Sequence, residues 1–143
     1  MIKTHLTEKA LNIATLAHEK QADKGGKPYI LHPLRVAENM TDEASACVAL
    51  LHDVIEDTYV TLKELEAEGF YPEIIEALKL LTHHEAQDYM EYIAAIAENP
   101  LARNVKIADL RHNADLTRIE KPTREDFTRQ EKYLKALKFL EQF

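Results

Sequence analysis

The apolar run Ala46-Cys47-Val48-Ala49-Leu50-Leu51 passes without a break into His52-Asp53-Val54-Ile55-Glu56-Asp57-Thr58, and this junction constrains the chain more than any other feature. Continued as one α-helix at 100° per residue, it puts His52, Asp53, Glu56 and Asp57 within an arc of roughly 140°. Val48, Leu50, Leu51, Val54 and Ile55 lie opposite. One face is core, and the other carries the imidazole and carboxylate groups that bind metals. A row of acids on a helix is also what an ordinary solvated face looks like, so the remaining residues carry the decision.

The length of 143 residues fits a single domain spanning 1–143. A chain of that size buries roughly 68% of its unfolded surface around one core. Contents of 45% hydrophobic and 30% charged residues are those of a globular protein, not of a disordered or membrane-embedded one. No apolar run approaches the ~20 residues that span a bilayer, and Met1-Ile2-Lys3-Thr4-His5 lacks the apolar stretch of a signal peptide. Cys47 is the only cysteine and sits inside the apolar run, where it serves as a small core residue. A cytoplasmic protein with no membrane partner is therefore expected. The net charge of −7 argues against a nucleic-acid polymer as ligand. A small-molecule nucleotide or phosphorylated substrate stays compatible, provided that a metal and a few local cations offset its charge.

Taken in order, the chain reads as helices separated by its glycines and prolines. A first helix is expected from about Thr7 to Asp23, capped by Thr7, with Leu11, Ala14, Ala17, Ile13 and Leu16 inward. The loop Lys24-Gly25-Gly26-Lys27-Pro28-Tyr29 ends it and is the most cationic short piece. His32-Pro33 stands at a second helix N-terminus. Thr41 or Asp42 caps a helix running from Ala44 to Asp57, and Thr61-Leu62-Lys63-Glu64 opens a short one ending near Gly69. Pro72 starts another that runs down at Thr82-His83-His84, where the two histidines are second-rank ligand candidates. Asp88 to Glu98 follows, closed by Asn99-Pro100. In Lys106-Ile107-Ala108-Asp109-Leu110-Arg111-His112-Asn113, helical rotation gathers Lys106, Asp109 and Asn113 within roughly 60°. Thr123 caps a last amphipathic helix with Phe127, Tyr133, Leu134, Leu137 and Leu140 on its apolar side, a surface that also allows a homodimer. Alternating β-branched runs are absent, so the fold class is all-α, a bundle of about six to eight helices.

His32, His52, Asp53 and Asp109 form a set of two imidazoles and two carboxylates if three helices converge. Such a set suits Mn²⁺, Fe²⁺ or Zn²⁺ with positions left for water or substrate oxygen. Glu56 and Asp57, one turn beyond, are placed to orient or deprotonate that water. No Gly-x-Ser-x-Gly, P-loop or dinucleotide fingerprint competes with this reading.

The order His32-Pro33, His52-Asp53, Glu56-Asp57-Thr58, Lys106-Ile107-Ala108-Asp109 and His112-Asn113 resembles the HD-domain phosphohydrolases. Within them it looks most like the hydrolase domain of the RelA/SpoT (p)ppGpp family and its small stand-alone members. The likeness runs from about Ala17-His18 and Gln21, through Gly26, Pro28 and Tyr29, to Asn113. It implies an HD-type helical bundle in which His32, His52, Asp53 and Asp109 bind Mn²⁺ and Glu56 and Asp57 serve the catalytic water. It further implies that Asn113 lies against the nucleotide, and that the reaction removes pyrophosphate from the 3′ position of the alarmone.

Lys24 is the first candidate among phosphate partners, followed by Lys27, Arg111 and Lys132. Three departures bear on the base more than on the chemistry. Asp23 stands where the family usually has an arginine that packs on guanine, and an acid cannot replace a stacking cation. Leu110-Arg111 inverts the family's Arg-Leu, and Leu116, followed by Thr117, stands where the family has a threonine. The segment between Thr82 and Asn104 is also compressed. The chain reads as hydrolase-only, without synthetase or regulatory domains. The alternatives are an HD phosphohydrolase acting on another nucleotide or phosphorylated metabolite, and a non-catalytic nucleotide- or metal-binding module.

Overall fold

The computed structural model describes residues 1–143 as an all-α bundle. Its helices are α1 (His5–Ala17), α2 (Leu31–Glu38), α3 (Glu43–Leu51), the single turn α4 (Val54–Asp57), α5 (Leu62–Ala67), α6 (Pro72–Leu81), α7 (Tyr89–Ala97), α8 (Pro100–Ala114) and α9 (Arg124–Leu140). A 3₁₀ turn, Leu116–Arg118, links α8 to α9. Eight of these segments are longer than one turn, as the glycine and proline punctuation implies.

α3 is the axis of the bundle. Every residue from Ser45 to Leu51 is buried, so the helix is apolar all round instead of amphipathic. It packs against α1, α2, α6 and α8, while α9 closes the far side by lying on α8 and α7. Asp42 caps α3 by accepting from the Ser45 N–H, and Asn99 and Thr123 cap α8 and α9 in the same way.

Three local expectations change. α1 starts earlier and ends earlier than its pattern implies. Thr4 is the cap, Thr7 completes a capping box as its partner, and the helix stops at Ala17, where His18 turns the chain toward an isolated bridge between Ala22 and Pro28. Leu16 faces solvent at 61% exposure, because nothing packs over the last turn on that side. On α9, Asp126, Ala136 and Leu140 are the buried positions, whereas Phe127 and Leu134 are about half exposed.

The third change matters for function. The helix expected to run from Ala44 to Asp57 is divided: α3 stops at Leu51, and α4 restarts at Val54 after Asp53 has moved to φ −103°, ψ −6°. The cause is local. His52 Nδ1 lies 2.6 Å from the carbonyl oxygen of Ala49, the acceptor that an unbroken helix would pair with the Asp53 N–H. The side chain ends the ladder by taking its acceptor.

Replacing Leu50, fully buried in α3, by alanine should lower the unfolding free energy by about 2–5 kcal/mol in a urea titration. A loss below about 1 kcal/mol would remove α3 from the centre of the core.

Candidate functional site

Four side chains from three parts of the chain meet at one cavity: His32, Asp53 and Asp109 line it, and His52 is buried against them. α2 brings His32 on its first turn, the break after α3 brings His52 and Asp53, and α8 brings Asp109. One donor atom from each lies within 4.8 Å of all the others. His32, His52 and Asp109 are buried, and Asp53 is 17% exposed.

Asp109 is the hub. Its Oδ1 lies 2.7 Å from His32 Nε2 and 3.2 Å from His52 Nε2, and it accepts from Asn113 Nδ2 at 3.0 Å. Its Oδ2 accepts from Lys106 Nζ at 2.9 Å. Burial pushes the Asp109 carboxyl upward, but the Lys106 ammonium and the His52 imidazolium outweigh it and hold the group well below the usual carboxylate range. The same pairing keeps Lys106 charged although it is buried.

The protonation of His52 follows from its partners. Nδ1 faces a carbonyl, and Nε2 faces Asp53 Oδ2 at 3.0 Å and Asp109 Oδ1 at 3.2 Å. All three are acceptors only, so both ring nitrogens must carry protons. Burial opposes that charge, yet Asp53 and Asp109 overcome it and raise His52 well above the ordinary histidine value. Burial likewise raises Asp53 while His52 lowers it, leaving it at about 2. Tyr29 Oη donates to Asp53 Oδ2 at 2.5 Å and fixes the carboxylate's orientation.

A second layer aims the imidazoles. His32 Nδ1 meets His112 Nδ1 at 2.5 Å, with the rings stacked at 4.8 Å between centroids. Burial, then His32 and Arg118, depress His112 to about 4, so its neutral ring can accept at Nδ1 and direct His32 Nε2 toward the carboxylates. This set of two nitrogens and two oxygens, preorganised and already balanced by a proton on His52, fits a divalent cation.

Glu56 and Asp57 stand on the cavity wall beside these donors. Glu56 Oε1 accepts from the His83 backbone N–H at 2.6 Å, while the Asp57 carbonyl is anchored by Gln21 Nε2 at 2.9 Å. Burial, with Asp53 and Glu56 adding repulsion, raises the Asp57 carboxyl to about 6. Lys24 lines the cavity and lies 3.7 Å from Asp126 Oδ1. Asn113 lines it too, but spends its amide on Asp109.

Of the other candidates, Lys132 lines the cavity with its Nζ over the Tyr89 ring, whereas Arg111 pairs with Glu141 away from it. His83 and His84 stand apart from the donor set. His83 serves through its backbone and packs its ring on Tyr92, and His84 is exposed. Asp23, at the position where the resemblance leads one to expect arginine, faces Arg118 across 3.7 Å. The sequence reading missed Tyr29 and His112 as orienting groups and Arg118 and Arg129 as cavity residues. Their separation along the chain leaves no local pattern to find them by.

The cavity measures about 460 Å³, within the range that holds nucleotide-sized ligands. No helix is long and apolar enough to cross a membrane.

Two outcomes follow from these charges. For the cation to bind, the Nε2 atoms of His52 and His32, both of which face a carboxylate oxygen, must be free of protons, so metal uptake near neutral pH should release at least one proton per chain. Calorimetry in buffers of different ionisation enthalpy reads this directly, and uptake without release would contradict a charged His52. Asp57 binds its proton more tightly in the folded state than the ordinary 3.8 of the unfolded chain. Stability of the metal-free protein therefore falls as pH rises from 3.8 to about 6, and the penalty is complete above that window. Asp57→Asn should raise the Tm of the chelator-treated protein at neutral pH and leave it unchanged below the window. Since the residue is exposed, the gain is small.

Comparison with known proteins supplies the remaining findings. A family model described as HD domain matches residues 10–112. A GTP pyrophosphokinase of Brucella melitensis is 37% identical over 123 residues, covering 76% of this chain and 16% of the relative. A guanosine-3′,5′-bis(diphosphate) 3′-pyrophosphohydrolase of Haemophilus influenzae is 37% identical over 115 residues, covering 71% of this chain and 17% of the relative. The chain thus spans about a sixth of the length of these curated relatives. A solved structure, described as a metazoan ortholog of SpoT that hydrolyses ppGpp, superposes with a TM-score of 0.76 at 24% identity. That match covers 98% of this chain and 87% of the other, and it establishes the shared fold.

Proposed function

The chain belongs to the HD-domain family, and on that premise we propose that it is a metal-dependent phosphohydrolase that removes pyrophosphate from the 3′ position of (p)ppGpp. The observation that carries this reading is the convergence of His32, His52, Asp53 and Asp109 at a nucleotide-sized cavity, lined by three of them, whose wall presents Glu56 and Asp57. Similarity to the Haemophilus influenzae pyrophosphohydrolase supports the choice of substrate.

The four donors would hold Mn²⁺ through the two Nε2 atoms and one oxygen from each carboxylate. Fe²⁺ and Zn²⁺ suit the same mixed set. When bound, the cation supplies positive charge against the phosphoryl oxygens and makes a water it binds more acidic. Lys106 keeps Asp109 ionised, and Tyr29 does the same service of orientation for Asp53. Glu56, steadied by the His83 N–H, orients the attacking water. Asp57 takes the water's proton and returns it to the leaving 3′ oxygen, a shuttle suited to a carboxyl near 6. The water oxygen bonds to the phosphorus nearest the ribose, the bond from that phosphorus to the 3′ oxygen breaks, and pyrophosphate leaves GDP or GTP behind. Lys24 and Lys132 line the cavity as cationic partners for phosphate, and Asn113 lies against the nucleotide. A homodimer through the exposed Phe127 and Leu134 of α9 belongs to the same proposal.

One observation favours a second reading. Asp23 in the cavity wall makes hydrolysis of a different nucleotide or phosphorylated metabolite by the same machinery the leading alternative. A non-catalytic binding module is the third reading, against which the paired acids speak.

Incubating metal-stripped protein plus Mn²⁺ with ppGpp and a panel of mono-, di- and triphosphates should yield pyrophosphate and GDP from ppGpp on ion-exchange chromatography. His52→Ala should abolish both product and tight metal binding. Glu56→Gln should retain the metal and lose on the order of 100-fold or more in turnover. Turnover of another panel member alone would move the assignment to that substrate, and full activity of Glu56→Gln would remove Glu56 from the mechanism.

A further inference from the structure

One end of the cavity carries an arrangement that the hydrolytic machinery does not use. Asp23 Oδ1 accepts from the backbone N–H groups of Gly25 and Lys27, each at 2.9 Å, which locks the carboxylate in its loop. Its Oδ2 faces Arg118 Nη1 at 3.7 Å, while Arg118 Nη2 donates to the His112 carbonyl at 3.1 Å. The loop and the 3₁₀ turn are pressed together: a Cβ on Gly25 would stand 2.8 Å from the Arg118 carbonyl oxygen, so only glycine fits there. The guanidinium is thus held from two sides, yet the side chain is 32% exposed and lines the cavity beside Leu116 and Ile119.

The position of this pair matters. Asp109 and Asn113 are successive turns of α8, and the 3₁₀ turn begins where α8 ends at Ala114. Arg118 lines the same cavity as Asp109 and Asn113, so the guanidinium is within the space open to the rest of a ligand whose scissile phosphorus sits on the donors. Asp23 already balances the guanidinium and would repel an approaching phosphate, which disfavours a second anion at this spot. A planar, weakly hydrated cation with apolar neighbours, fixed before the ligand arrives, is instead a stacking surface.

We infer that Arg118 is a specificity-determining residue: its guanidinium is the platform on which the substrate's planar base stacks, and Asp23 is the positioning residue that fixes it. The inference rests on the nucleotide reading above, and it concerns the base instead of the reacting phosphate.

Calorimetric titration of the Mn²⁺-loaded protein with GDP, ADP, UDP and ribose 5-phosphate separates the two contributions. Arg118→Ala should weaken the best-bound nucleoside diphosphate about tenfold and leave ribose 5-phosphate unchanged. Arg118→Lys keeps the charge without the plane and should not restore the affinity. This variant decides the matter if Arg118→Ala does not fold. Asp23→Asn preserves an acceptor for the two loop N–H groups but loses the charge facing Arg118. It should weaken nucleotide binding by a smaller factor in the same direction, with an unchanged circular dichroism spectrum. Equal losses for ribose 5-phosphate and nucleotide would make Arg118 a phosphate partner and overturn the inference. So would unchanged nucleotide affinity in Arg118→Ala or Arg118→Lys, or a wild-type protein that binds no nucleotide. Arg118-dependent nucleotide binding without ppGpp turnover would uphold the platform while the proposed reaction falls, and the reverse pattern would do the opposite.

Discussion

The carboxylate of Asp109 is the interaction on which the site depends. It is a buried anion with both oxygens engaged, by His32, His52 and Asn113 on one side and by Lys106 on the other. A lone carboxylate at that depth would protonate or drag water inward, since desolvating a charge costs several kcal/mol unless a partner offsets it. Lys106 offsets it from the same helix, three residues earlier, so α8 carries its own counter-charge into the core. What remains at Oδ1 is negative potential directed at two imidazoles, and a cation and a proton on His52 are alternative ways of satisfying it.

The break between α3 and α4 belongs to the same design. By donating to the Ala49 carbonyl, His52 ends its helix and fixes its ring orientation, leaving Nε2 as the atom that faces the carboxylates. Restarting the helix at Val54 places Glu56 and Asp57 on the cavity wall, where Gln21 and the His83 N–H hold them from other parts of the chain. The all-round burial of α3 supplies the stiffness: its end cannot shift without moving the helices packed on it.

Beyond the donors, the cavity divides by charge. Acids and imidazoles occupy the centre, Lys24, Lys106 and Lys132 flank it, and the Asp23 and Arg118 pair lies past the end of α8 beside Leu116 and Ile119. A net acidic chain thus presents cations where a phosphate would need them.

By itself the sequence determined the helical class and most element ends, and it singled out the four side chains that the structure brings together. Caps, prolines and apolar periodicity are local signals, and the donor residues stand in recognisable order along the chain. Local signals reach three or four residues, so they misjudged the start of α1 at Thr4, the outward Leu16 and the inward side of α9. Only the tertiary structure decided which groups orient the donors. His32 meets His112 across 80 positions and Tyr29 meets Asp53 across 24. It also decided that Asp23 faces Arg118 and that Lys106 is a buried counter-ion instead of a solvated surface pair. The physical reason is that charge balance in a buried site is settled by which chain segments pack together: even Lys106 and Asp109, three residues apart, become a counter-ion pair out of water only because α8 packs against its neighbours.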